Sequence, residues 1–191
     1  MKTGGETMLV GKVVCLRAYT KDDLPKAKDF LNQVHVSRMM RTGIPFPLRL
    51  EDEEKWFASL DANSEKQYGF AIETKSAGEY VGGCGIHSID SKNRFGILGI
   101  FLGEPHIGKG YGSDALTVLV EFAFNEINLN KVKLFVFAFN KQAIGCYKKI
   151  GFKTEGVLRQ EIFRRGRYHD ALVMGLLRSE WKTKGKKRQQ A

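Results

Sequence analysis

Gly108, Gly110 and Gly112 fall on alternate positions between an apolar stretch that ends at Leu102-Gly103 and an amphipathic stretch that follows Ser113. Glycine tolerates positive φ and lets a ligand approach peptide N–H groups closely. The N–H groups that open a helix have no partner inside it, and the helix dipole stands behind them. A strand, such a loop and a helix start together form an anion site fit for a diphosphate, with Ile107, Gly108, Lys109, Gly110, Tyr111, Gly112 and Ser113 as the candidate grip. Two common phosphate loops are excluded. A Walker loop ends in Gly-Lys-Ser/Thr, whereas Lys109 precedes Gly110; a dinucleotide fingerprint needs a different glycine spacing and an acid at a later strand end.

A second constellation is Asn140-Lys-Gln-Ala-Ile-Gly-Cys-Tyr147, closed by Gly151-Phe152. At about 100° per residue, Asn140, Ala143 and Tyr147 project from one side of a helix. Asn140 can cap that helix and offer an amide to a ligand, Ala143 leaves room, and Tyr147 brings a phenol to the same surface. Taken alone, the stretch reads as an ordinary amphipathic helix with a core tyrosine.

The elements that must position these groups follow from periodicity. Val13 to Arg17 reads as a first strand, and Thr20 as the cap of a helix with acids in its first turn. Ile44-Pro45-Phe46-Pro47 is an extended link. A second helix is predicted from about Leu50 to Asp61, with Trp56, Phe57 and Leu60 on one face. Gly69 to Thr74 and Glu79 to His87 form a hairpin, and Arg94 to Gly103 a further strand. In the helix after the glycines, Ala115, Val118, Leu119 and Phe122 mark one buried face. Lys131 to Phe139 is a nearly continuous apolar strand, as in the middle of a covered sheet. Two strands, about Thr154 to Arg164 and Tyr168 to Leu177, flank an Arg165-Gly166 turn. The fold class is α/β: one mixed, mostly antiparallel sheet with flanking helices, and no second domain.

The glycine loop, one strand, then Asn-x-x-Ala-x-x-x-Tyr-x-x-x-Gly-Phe resembles the GNAT acetyltransferase superfamily. The stretch Glu155 to Met174 is similar to its branch of spermidine and ribosomal-protein N-terminal acetyltransferases. The resemblance spans roughly Val13 to Trp181. It implies a sheet splayed at the cofactor site, with acetyl-CoA as co-substrate and direct transfer to an amine. The backbone of Ile100, Phe101 and Leu102 would pair with pantetheine, one N–H there polarising the thioester carbonyl. Gly108 to Ser113 would hold the diphosphate, Asn140 and Ala143 would border the cofactor, and Tyr147 would protonate the departing sulfur. A phenol near pKa 10 and a thiol near about 8.5 are well enough matched for that.

Two departures stand out. Relatives often carry Gln or Arg where this chain has Ile107, and Ala-Glu where it has Gly96-Ile97, so the usual carboxylate base is missing. His87, Glu73 and His106 are the candidates, and a water relay would need none of them. Cys146, beside Tyr147, is expected to turn toward the core. The run Glu51-Asp52-Glu53-Glu54 either answers the helix dipole or forms an electronegative mouth for a cationic amine. The acceptor expected is a polyamine or other small primary amine. A protein N-terminal amine, or a non-catalytic acetyl-CoA-binding or RNA-associated module, is the alternative.

Composition sets the outer bounds. In 191 residues the apolar fraction is 42% and the charged fraction 27%, as in globular domains. Cys15, Cys84 and Cys146 show no metal-ligand spacing, so no metal is expected and the thiols read as reduced. No apolar run is long enough to span a membrane, which points to a cytoplasmic protein. About half of the net charge of +10 lies from Arg178 onward, so any nucleic-acid contact would run through the basic tail, 182–191. The domain is placed at 12–181, after an N-terminal extension 1–11. The resemblance also brings a homodimer as an expectation.

Overall fold

Short β-branched runs and two long hairpins join into one eight-stranded sheet in this computed structural model, which describes residues 9–40, 43–61 and 64–181. The strands are β1 (Leu9–Val10), β2 (Val14–Arg17), β3 (Tyr68–Thr74), β4 (Tyr80–Asp90), β5 (Phe95–Leu102), β6 (Lys131–Phe137), β7 (Lys153–Arg164) and β8 (Arg167–Leu177). Their spatial order is β1-β2-β3-β4-β5-β6-β8-β7. Only β5 and β6 run parallel; every other neighbouring pair is antiparallel.

Alternation along the strands sends side chains to two faces. Leu16, Ile72, Ile86, Leu98 and Leu134 pack beneath helices α4 (Tyr111–Asn125) and α5 (Lys141–Ile150) in the main core. Ala71, Tyr80 and Phe101 turn the other way, toward α1 (Leu24–Asn32) and α3 (Leu50–Ala58). The short α2 (Val34–Met40) lies over β5 on this second side.

The interior of α4 is the most deeply buried helical surface, with Leu119 fully enclosed and Leu116 and Phe124 nearly so. Leu119→Ala should therefore cost about 2–5 kcal/mol of stability, the range for truncating an enclosed leucine. A lowered urea midpoint with an unchanged slope would report it.

Two elements differ from the sequence expectations. Leu9–Val10, assigned to the N-terminal extension, pairs with Leu16 and Cys15 as the edge strand. The segment Val34–Met40, unassigned in sequence, is helical. Thr20 caps a single 3₁₀ turn, Lys21–Asp23, that runs directly into α1, and the Asp23 carboxylate accepts the Thr20 N–H at 2.8 Å. The basic tail 182–191 lies outside the described residues.

Candidate active site

The one parallel pair in the sheet comes apart. β5 and β6 pair only over Phe95–Ile97 against Lys131–Lys133. Beyond Ile97, β5 continues on β4 through Leu102, and β6 continues on β8 through Phe137. Two strand edges thus face each other across a widening gap. Their unpaired peptide groups can take an extended ligand that carries amides of its own, as an added strand would. A cleft of about 920 Å³ runs through this gap and reaches both faces of the sheet.

On the α4 side the gap opens onto the glycine loop. Gly108 and Gly110 have φ of 83° and 86°, and Gly110 is the residue that precedes α4. A left-handed residue at that point turns the chain so that the first N–H groups of the helix face outward. A side-chain carbon at Gly110 would meet nothing within 4 Å, so the loop surface is open. Ser113 donates its hydroxyl to the Gly110 carbonyl at 2.8 Å, closing the turn. The Asp114 carboxylate accepts the N–H groups of Lys12, Val13 and Val14 at 2.8–3.0 Å, which ties the helix start to the first long strand.

α5 forms the adjoining wall. The Asn140 side-chain oxygen accepts the Ala143 N–H at 3.1 Å, and Gly151, at φ 126°, ends the helix. Tyr147 is half-buried, and its apolar surroundings push the phenol up to about 12. Cys146 borders the cleft while packing on the core, and burial raises its thiol. A raised thiol is a poor nucleophile at neutral pH, which disfavours a covalent acyl-enzyme.

Of the residues singled out in sequence, Ile100, Phe101, Leu102, Ile107, Gly108, Gly110, Gly112, Ser113, Asn140, Ala143 and Tyr147 all line the cleft. Lys109 and Tyr111 do not. Lys109 is exposed at the loop tip, and the Tyr111 ring turns inward onto the core, 6.5 Å from the His106 ring. Any contact from these two would come from the backbone.

The opposite end of the cleft was not assembled by sequence reasoning. Its floor is the face of β4 and β5 that carries Gly83, Gly85 and Gly99. A methyl at Gly83 would collide with the Tyr19 hydroxyl, and one at Gly99 would stand 2.7 Å from His87 Nε2. The roof is Tyr19, Val36 and Met39 with Glu53 and Trp56 of α3. Tyr19 and Trp56 meet edge to face at 4.8 Å, and burial raises the Tyr19 phenol well above its ordinary value. The acidic run resolves into separate roles. Glu51 and Glu54 are exposed and Asp52 pairs with Arg49 at 3.1 Å, whereas Glu53 is 6% exposed and lines the cleft.

The three candidate bases also separate. Glu73 is held by the Arg17 guanidinium at 2.6 Å, on a strand outside the cleft. His106 is buried against Phe30, 3.8 Å from the Glu79 carboxylate, and does not line the cleft either. His87 does. No group of metal-ligating side chains occurs among the described residues, and no described helix is long and apolar enough to cross a membrane.

Comparisons with known proteins agree with this geometry. The profile of the acetyltransferase (GNAT) domain matches residues 14–153. An uncharacterized N-acetyltransferase of the SPbeta prophage of Bacillus subtilis, YokL, is 30% identical over 92% of this chain and 96% of its own length. The spermidine N(1)-acetyltransferase of Escherichia coli is 27% identical over 88% of each chain. The crystal structure of spermidine N-acetyltransferase from Vibrio cholerae, in complex with CoA and spermine, shares the fold. Its TM-score is 0.80 at 24% identity, covering 88% of this chain and 98% of that one. A family profile over most of the chain, a full-length relative and a sheet that parts at the expected strand lead to one conclusion: the chain belongs to the GNAT family and is an acetyl-CoA-dependent N-acetyltransferase.

Proposed function

We propose that this enzyme acetylates a small primary amine that carries one positive charge beside an apolar body, by direct attack on the thioester. The observation that carries the reading is Glu53. Among the described residues of the cleft wall it is the one carboxylate, and it is buried next to Trp56 and Tyr19. A desolvated carboxylate flanked by aromatic faces recognises an ammonium through charge-assisted hydrogen bonds and cation–π contact. Val36, Met39 and Leu60 supply apolar surface alongside. A polyamine brings several charges, and one carboxylate can answer only one of them. The relatives include spermidine acetyltransferases, so spermidine belongs in the test as the competing acceptor.

In this reading the cofactor arm lies along Ile100, Phe101 and Leu102, where a backbone N–H steadies the oxyanion. Gly108 to Ser113 grip the diphosphate, Asn140 and Ala143 border the arm, and Tyr147 faces the sulfur. The acetyl group then meets an amine arriving from the Glu53 side of the sheet.

The test is a panel of apolar monoamines, spermidine and a peptide with a free N-terminus, followed by the gain of one acetyl mass on the acceptor. Monoamines are expected to turn over best. Glu53→Gln should raise KM for the amine by about 10- to 100-fold, the worth of a hydrogen bond to a charged group, with a smaller effect on kcat. Preference for spermidine, with KM unmoved by Glu53→Gln, would overturn the acceptor assignment. Cofactor binding without turnover on any amine would favour a non-catalytic module.

A further inference from the structure

An amine held by Glu53 arrives as an ammonium and has no lone pair with which to attack. A group in the cleft must take its proton. We propose that His87 is the general base, accepting that proton at its Nε2 edge directly from the bound amine. The inference rests on the acetyl-transfer reading above.

The strand register places it. Gly83, Gly85 and His87 of β4 stand opposite Phe101, Gly99 and Ile97 of β5, so all six project from one face. Gly85 and Gly99 contribute no side chains, and the imidazole occupies the space over Gly99: a methyl there would lie 2.7 Å from Nε2 and 2.9 Å from Cε1. Ile97, the direct partner of His87, is also the last β5 residue paired with β6. The ring therefore sits where the gap begins, on the face that carries Glu53, Trp56 and Tyr19. Tyr147 approaches from the opposite face on α5.

The other titratable groups of the wall are unsuited to the task. Lys141 and Lys149 stand on α5, which packs on the opposite face of the sheet. Burial raises Tyr19, Cys84, Cys146 and Tyr147, which keeps them protonated. Tyr68 is a phenol, and Glu53 is occupied in holding the ammonium. His35 stands on α2, off the β4–β5 strand face that borders the gap. His87 is an exposed residue whose ring is partly desolvated where it lies over Gly99; that desolvation lowers its pKa and favours the neutral imidazole, which can accept a proton.

The step balances. His87 takes one proton from the ammonium and the freed lone pair forms the C–N bond at the acetyl carbon. The C–S bond breaks, the sulfur takes the phenolic proton of Tyr147, and the second proton of the nitrogen restores the phenol. The imidazolium returns its proton to water, leaving one amide, one thiol and one proton.

The experiment compares wild type, His87→Gln, Gly99→Ala and His87→Ala/Ile97→Glu across pH, with calorimetry of acetyl-CoA binding to show that each variant is folded. In wild type, kcat/KM should hold above the His87 pKa and fall below it, placing the acid limb below about 6.5. His87→Gln should lose about 10²-fold at pH 7 and instead rise with pH as free amine becomes available. Gly99→Ala, which displaces the ring without removing it, should also slow the reaction. A carboxylate at position 97, directly across from the missing ring, should recover about tenfold or more over His87→Ala. Independently of turnover, the His87 ring resonance in the ligand-free protein should titrate below about 6.5. An active wild type whose rate and acid limb survive in His87→Gln would overturn the role of His87 alone. A wild type inactive on every amine would remove the acetyl-transfer reading and this inference with it.

Discussion

Tyr147→Phe is expected to lower kcat by about 10²-fold or more, while affinity for acetyl-CoA changes by no more than about threefold. The phenol faces the gap from α5, and its loss removes one hydroxyl and no packing. Its pKa of about 12 refines what that hydroxyl does. A free thiol titrates near about 8.5, so full transfer of the proton to a departing thiolate is uphill. On the proposed mechanism the gain comes instead from a hydrogen bond that strengthens as charge collects on sulfur, with the proton moving only as the nitrogen sheds its own. A pH profile separates this from an ordinary tyrosine. Because the phenol must stay protonated and ionises only near about 12, Tyr147 should cause no decline in kcat up to about pH 10. An alkaline decline below that point, present in wild type and absent in the variant, would contradict the buried-phenol account.

Gly110→Ala should weaken acetyl-CoA binding by about 5- to 30-fold, with kcat at saturating donor little changed. The figure is the cost of about 1–2 kcal/mol for placing an L side chain in the left-handed region, read as affinity. Gly110 isolates that cost because the added methyl meets no protein atom within 4 Å. Any loss therefore comes from the backbone angle that aims the α4 N–H groups, or from the ligand itself. Calorimetry on the free enzyme reads it directly. Unchanged affinity would mean that the left-handed residue of this loop has no part in binding the donor.

The half of the cleft bordered by the glycine loop and α5 was legible in sequence because its geometry is local. Glycines on alternate positions before a helix, and an asparagine cap seven residues ahead of a tyrosine, specify geometry within a single turn or two. The strands and long helices followed from periodicity for the same reason. The half around Glu53 and His87 is different, since each of its groups is chosen by long-range register. Which of four consecutive acids turns inward depends on the phase of α3 against the sheet, and only Glu53 does so. His87, His106 and Glu73 looked equivalent in the chain; strand pairing separates them by placing His87 across from Ile97. α2 escaped notice because Val34, His35 and Val36 are weak helix formers. Contacts distant in sequence hold it instead. The Glu104 carboxylate accepts the His35 N–H at 3.0 Å, and the Gln33 amide oxygen accepts the Glu104 N–H at 2.7 Å. β1, at two residues, is too short to show any period.

The grip of Asp114 on the successive amides of Lys12, Val13 and Val14 makes that stretch a mechanical brace for the glycine loop that opens α4. Lys75, reaching the Gly11 carbonyl at 3.1 Å, tightens the same corner. Trimming residues up to Val13 would therefore release the first turn of α4 from its tether. An alteration that touches no ligand would be felt as a slack donor site.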